Sequence, residues 1–224
     1  MGSGASSEVS TAEMTVASLV KTVHTKEPGD EQRGKALARL LKLSEISDEY
    51  KIGIANPDLG LVKLLGPMLE AGSGGDERLS AYRIVWYLSR EGIVLGILAD
   101  PSNGLLPPLV KTMGSEYDED KAKQISINPI GNISLNVTTH AALLSPELNF
   151  LETTMHAYKR SNLEDFKAKI VKTHTNLVKT IKITTIKELL AKKVPEFIIG
   201  IFREGKSNPS TWSPNAYQTW AIIL

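Results

Sequence analysis

The residues with the sharpest chemical spacing are Gly200-Ile-Phe-Arg-Glu-Gly205-Lys206-Ser207, which fit the pattern GxxxxGK[ST]. In that pattern a glycine-rich loop turns free N–H groups toward phosphate oxygens, and the lysine and hydroxyl hold the outer charge and its metal. The loop works only between a strand and a helix that starts at the lysine. Glu196–Ile199 would have to be the strand, and Asn208-Pro209 stands where the helix must begin, biasing the chain toward extended backbone. Nothing around it alternates as an α/β sheet does, so nucleotide binding is the remote reading and an inter-helix turn the expected one. Met1-Gly-Ser-Gly-Ala-Ser6 fits the N-myristoylation pattern, with Gly2 as acceptor. The plainer reading is a leader of small residues. A single acyl chain holds a membrane only marginally, on the order of 10⁴ M⁻¹, and with no cysteine in the chain a second one has no acceptor. His24, His140, His156 and His174 are scattered without ligand spacing. No metal, no cofactor and no catalytic constellation are therefore expected.

The net charge of +1 conceals a polarity. Residues 1–120 carry 12 Lys/Arg against 18 Asp/Glu, and residues 121–224 carry 14 against 7. The basic excess peaks over Lys159–Lys193, with 10 basic and 3 acidic residues. A solvated helix face is the default origin of such a run; an acidic segment of a protein partner is the functional one. Nucleic acid is disfavoured, because stacking aromatics are sparse beside those lysines. No apolar run reaches the roughly 18 residues a membrane span needs, and the N-terminus lacks the apolar core of a secretory signal. The absence of cysteine fits a reducing compartment. The expected location is the cytoplasm, with the nucleus, or the membrane periphery through Gly2, as alternatives. Asn132-Ile-Ser134 and Asn136-Val-Thr138 match glycosylation sequons, read here as chance matches.

The elements behind these residues repeat. Ala36-Leu-Ala-Arg-Leu-Leu-Lys-Leu-Ser44, Ala81-Tyr-Arg-Ile-Val-Trp-Tyr-Leu-Ser89 and Ser126-Ile-Asn-Pro-Ile-Gly-Asn-Ile-Ser134 close on serines 45 residues apart, a period that marks helical solenoids. A fourth copy lies near Lys172–Lys179 and a fifth at Ala216–Leu224. Each serine is followed by a second recurring element: Asn56-Pro-Asp-Leu-Gly-Leu61, Asp100-Pro-Ser-Asn-Gly-Leu105 and Ser145-Pro-Glu-Leu-Asn-Phe150. A capping side chain followed by Pro predicts a helix start, and apolar stretches follow at Leu61–Leu69, Leu105–Met113 and Phe150–Tyr158. Ser10-Thr-Ala-Glu13 and Ser161-Asn-Leu-Glu164 read as capping boxes. The organisation expected is a flexible leader over residues 1–9 and a single solenoid over 10–224. Its units run about 10–55, 56–99, 100–144 and 145–193, with 194–224 incomplete. The long helices share the core frame Ala36/Leu40/Leu43, Ala81/Val85/Leu88, Ser126/Ile130/Ile133, Ile170/His174/Leu177 and Ala216/Trp220/Ile223, whose i, i+4, i+7 spacing puts each trio on one face. Pro129 and Gly131 inside the third long helix predict a kink or a late start. The apolar ending Trp220-Ala-Ile-Ile-Leu224 predicts a longer array or a subunit contact at that end.

On the period, on Gly104-Leu-Leu-Pro-Pro-Leu-Val-Lys111 and Val194-Pro-Glu-Phe-Ile198, and on the ending Gly131-Asn-Ile-Ser134, residues 10–224 resemble the armadillo repeat family, with HEAT repeats as the close relative. The resemblance implies an all-α, right-handed superhelical solenoid whose longest helices line a groove for extended peptides, often held by asparagines. Asn132 and Asn176 match that asparagine position; Lys42 and Tyr87 depart from it. The tryptophan one turn earlier in nuclear-import adaptors is replaced by Ala38, Arg83, Asn128 and Lys172, so binding of nuclear signals is not expected. The expected function is a protein-interaction scaffold that holds an extended, acidic partner segment along Arg83, Tyr87, Asn128, Asn132, Lys172, Asn176 and Lys179. The alternative is a structural spacer within a larger assembly.

Overall fold

The computed structural model describes residues 4–70, 75–115, 120–179 and 196, with side chains from 15 to 177 within those ranges. Among the described residues there are eleven α-helices, four short 3₁₀ turns and no strand. The helices are α1 (Gly4–Thr25), α2 (Glu31–Ile46), α3 (Asp48–Ala55), α4 (Leu61–Leu69), α5 (Gly75–Leu88), α6 (Leu95–Ala99), α7 (Leu106–Gly114), α8 (Asp120–Ile133), α9 (His140–Leu143), α10 (Phe150–Arg160) and α11 (Glu164–Lys179). They recur as a short helix (α3, α6, α9), a middle helix (α4, α7, α10) and a long helix (α5, α8, α11), with α1 and α2 as the opening middle–long pair. The chain divides into two compact units, residues 1–109 and 110–224, with the boundary inside α7. In the first, α1 packs on α2, α4 on α5, and the long helices α2 and α5 lie against each other. In the second, α10 packs on α11, and α8 lies against α11.

The core frame is buried wherever it is described: Ala36, Leu40 and Leu43 on α2, Ala81, Val85 and Leu88 on α5, Ser126, Ile130 and Ile133 on α8, and Ile170, His174 and Leu177 on α11. Its two polar members are provided for. The Ser126 hydroxyl donates to the Lys123 carbonyl at 2.8 Å. His174 Nε2 lies 2.9 Å from the Thr154 oxygen, whose own proton goes to the Phe150 carbonyl at 2.8 Å. The imidazole therefore donates from Nε2, with its ring edge-on to Phe150 at 5.8 Å.

The recurring serines end the long helices. Ser44, Ser89 and Ser134 are buried, and each hydroxyl donates to the carbonyl three residues back: Leu41 at 2.6 Å, Trp86 at 2.7 Å and Gly131 at 2.7 Å. At the ends of α5 and α8 the backbone N–H of Arg90 and Leu135 turns to Tyr87 and Asn132, which leaves Trp86 and Gly131 for the serine; Leu41 lies inside α2 and keeps its helical partner. A capping side chain then opens the next element: Ser47 accepts from the Tyr50 N–H, Glu91 from the Ile93 N–H and Asn136 from the Thr138 N–H. Both sequons thus fall on residues with structural work, Ser134 and Asn136.

The proline element acts one step earlier than the sequence suggested. Asn56 and Asp100 cap the single 3₁₀ turns Pro57–Leu59 and Pro101–Asn103. The middle helix starts only after a left-handed residue, Gly60 at φ 71° and Gly104 at φ 64°. The third copy places Asn149 there at φ 47°, one of the few side chains that tolerates this conformation. In the first unit a buried cross-tie binds four segments. Arg33 donates to Glu77 at 3.1 Å and to the carbonyls of Val23 and Lys26, both at 2.9 Å, while Glu77 accepts from the Gly29 N–H at 2.9 Å.

Some expectations need correction. Helix α1 begins at Gly4, so it takes in most of the residues read as a leader, and Ser10 lies inside it; nothing after Gly4 breaks a helix. Helix α11 begins at Glu164, and the Ser161 hydroxyl accepts from Leu163 N–H at 3.1 Å, so Ser161 forms a turn rather than a capping box. Helix α8 shows no late start: it runs 14 residues, as α5 does, and enters at Asp120 well before Pro129. The Gly200–Ser207 motif, Gly2, and the terminal residues Trp220 and Leu224 lie outside the described residues.

Two outcomes follow from the buried polar groups. Replacing Ser89 by Ala leaves the Trp86 carbonyl without its hydroxyl donor and should destabilise the protein by about 1–2 kcal/mol in urea denaturation, with Ser44→Ala and Ser134→Ala costing less, since Leu41 lies within α2 and Gly131 keeps the Asn176 amide. Burial lowers the pKa of His174 from 6.5 to about 4, so the folded chain keeps the ring neutral while the unfolded chain takes up a proton. This contribution is present above pH 6.5 and is lost progressively as pH falls toward 4, by up to about 1.4 kcal/mol per pH unit. His174→Gln, which keeps an amide donor and does not titrate, should remove about 1.5 kcal/mol of the stability difference between pH 6.5 and 5.

Candidate functional site

The ladder positions fall on the long helices, and each unit presents its own set. In the first unit Ala38 and Lys42 on α2 and Arg83 on α5 are exposed, and Tyr87 is half-buried. Tyr87 stacks on Trp86 with ring centroids 5.3 Å apart and planes 25° apart, and the Arg90 guanidinium lies 6.0 Å over the Tyr87 ring. Its hydroxyl faces the Glu45 carboxylate. Burial first, and then that carboxylate, push the phenol pKa up; Arg90 and Arg83 act in the opposite direction. The result is a ridge of stacked rings edged by cations.

In the second unit Asn128 and Asn132 on α8 are half-buried and Lys172 on α11 is exposed. Asn176 is only 7% exposed. Its amide nitrogen donates to the Gly131 carbonyl at 3.2 Å and to the Ser134 hydroxyl at 3.0 Å. This moves Asn176 off the open row and into the seam between α8 and α11, where it satisfies the end of α8. Lys179 is the last residue of α11, and its side chain lies outside the described residues.

The two units share one device. The second ladder position of a long helix reaches back to the end of the preceding long helix, from Tyr87 to Glu45 and from Asn176 to Ser134. The sequence reading saw Asn176 as a ligand for a partner and missed this reach. The reach closes on the Gly131 carbonyl, 45 residues back, where a Cβ would lie 3.4 Å from the Thr173 hydroxyl, an ordinary contact.

The second unit also holds a cleft of about 280 Å³, lined by Met113, Asp120, Lys123, Arg160, Ser161 and Phe166 among others. Asp120 offsets Lys123 at 4.0 Å, and Arg160 Nη1 lies 3.5 Å from His156 Nδ1, so it is mixed in charge and carries no ladder residue. Among the described residues no group of three or more His, Asp or Glu gathers as a metal site. No helix among them is long and apolar enough to cross a membrane.

No protein-family profile matches the chain, and no curated protein does. Solved structures do match. An engineered protein superposes with TM-score 0.71 at 16% identity over 93% of this chain and 78% of its own. A computationally designed armadillo repeat protein for modular peptide recognition gives 0.65 at 16% identity, over 79% of this chain and 69% of that one. A second engineered protein gives 0.73 at 17% identity, over 93% and 47%. The helix order, the burial of one face of each long helix and these likenesses together identify the fold as an all-α, armadillo-like repeat solenoid.

Proposed function

We propose that the chain is a protein-interaction scaffold that holds an extended segment of a partner on the exposed faces of its long helices. The observation that carries this reading is the contrast within those helices. Their buried face is uniformly fitted to the core, while the opposite face leaves Lys42 and Arg83 exposed in the first unit and Lys172 exposed beside half-buried Asn128 and Asn132 in the second. The cations of the first unit, and the cation beside side-chain amides in the second, each suit a peptide backbone flanked by carboxylates, since amides bond its N–H and C=O groups and cations meet its side chains. A partner segment of acidic character is thus the fitting ligand. The recognition of peptides by a designed protein of the same fold supports the class of partner and not its identity.

The residues proposed to touch the partner are Arg83, Tyr87, Asn128, Asn132 and Lys172, with Lys179 extending the row beyond the described side chains. Asn176 acts indirectly, by fixing α11 against α8. The test is a pull-down from lysate of the source cell, comparing the parent with Arg83→Ala/Asn132→Ala/Lys172→Ala at unchanged helicity. Partner recovery should fall on the order of tenfold or more, as loss of interface anchors worth about 1–2 kcal/mol each does, and residual binding should weaken with salt. An identical set of captured proteins from both would overturn the proposal.

A further inference from the structure

Among the described residues, the large hydrophobic side chains left exposed are not scattered. Ile46, Ile52, Ile93, Leu135 and Val137 are exposed by 61%, 41%, 72%, 58% and 40%, and all fall where a long helix hands over to the short helix. Single exposed apolar residues need no explanation; confinement to one kind of corner does. In the first unit three of them sit on elements linked through α3. Ile46 ends α2, Ile52 lies on α3, and Ile93 lies on the 3₁₀ turn Gly92–Val94 that packs against α3.

Carboxylates outnumber cations around these three, with Lys42, one turn before Ile46, and Arg90 both exposed. Glu45, Asp48 and Glu49 are exposed and Glu91 is half-buried. Lys51 is buried against Asp48 at 2.5 Å, with the lysine side chain 11% exposed, and Arg90 lies over the Tyr87 ring. Glu49 stays readily ionised, because its own backbone N–H and the Ser47 hydroxyl lower its pKa. At the second unit's corner, Leu135 and Val137 are flanked by Asn132, Asn136, Thr138 and Thr139, with no carboxylate.

We infer that the corner formed by Ile46, Ile52 and Ile93 is a second docking surface, and that its occupant is a basic amphipathic segment of a partner protein. The apolar side chains of that segment cover the isoleucines, and its lysines or arginines meet Glu45, Glu49 and Glu91. Charge complementarity chooses this occupant: a neutral or acidic segment would desolvate those carboxylates with no counter-charge. The surface adjoins the ladder where Glu45 faces Tyr87, and it does not depend on the function proposed for the ladder.

The test uses the full chain and a labelled peptide of about four helical turns made of leucine on one face and lysine elsewhere. Two controls accompany it, one with glutamate for lysine and one with serine for leucine. Fluorescence anisotropy should show binding of the leucine–lysine peptide and affinity lower by about tenfold or more for both controls. Ile46→Ser/Ile93→Ser should weaken binding by about tenfold, and Glu45→Gln/Glu49→Gln should weaken it less and flatten its salt dependence. Arg83→Ala/Lys172→Ala should leave it unchanged, which separates this surface from the ladder. Equal binding of the lysine and glutamate peptides, or of the parent and Ile46→Ser/Ile93→Ser, would overturn the inference. So would sedimentation showing a dimer of the parent that the isoleucine substitutions dissolve, since the corner would then be a contact between copies of this chain.

Discussion

Among the described residues, the ends of the long helices α2, α5 and α8 carry carbonyls that take side-chain donors from within the protein. A helix leaves about four such groups at each terminus, and a buried carbonyl without a donor costs on the order of 1–3 kcal/mol. The answer is assembled locally and repeated. The serine hydroxyl takes the carbonyl three residues back, and a capping side chain two or three residues on starts the next element. At α8 the demand is met most fully. Ser134 and Asn176 serve the Gly131 carbonyl, Thr139 donates to Ile133 at 2.6 Å, and His140 Nε2 donates to the Ser134 carbonyl at 2.9 Å.

This demand competes with recognition. A side chain on the outer face of a long helix has two uses: it can meet a partner, or it can bond the end of the preceding long helix and fix the spacing of the two. Asn176 is committed to the second use, and Tyr87 is drawn partly toward it through Glu45. Arg83, Lys42 and Lys172 remain exposed. Position in the repeat therefore does not settle a residue's role; the chemistry of the preceding helix end does. Where that end offers the Gly131 carbonyl, an amide is captured. Where it offers a carboxylate, a phenol is.

The fold was legible because its signals are local and periodic. The apolar trios follow from i, i+4, i+7 spacing and the middle helices from the stretches after Gly60, Gly104 and Asn149; the serines mark the helix ends. Even the exception is readable in hindsight, since Asn occupies the glycine position of the third proline element and there adopts φ 47°. The unreadable parts are long-range. Nothing local distinguishes Arg33 from the other cations of α2, yet it joins α1 to α5 through Glu77, 44 residues away. Asn176 fitted a ligand ladder by register, and only the approach of α11 to Gly131 assigns it to the seam. Pro129 and Gly131 suggested a kink or a late start; α8 shows no late start, since it enters at Asp120 and buries Ile127, Ile130 and Ile133.

Likeness in fold at 16% identity has the same origin. The constraints that build the unit are few: an apolar trio, a small donor at the helix end, a cap, and a residue that accepts positive φ. Each can be met by several residue types, as Gly60, Gly104 and Asn149 show, and as Ala, Ser and Ile show at the head of the core frame. Most outward positions are free of these constraints, so a shared architecture carries little information about the partner. What this chain recognises has to be written in the residues the repeat leaves unspecified. Those residues divide by charge: cations stand along the long-helix faces, while carboxylates surround the isoleucines of the first unit's corner. If both proposed surfaces bind, their opposite signs favour segments of opposite sign and each repels the other's ligand, so specificity would arise from mutual exclusion as much as from attraction.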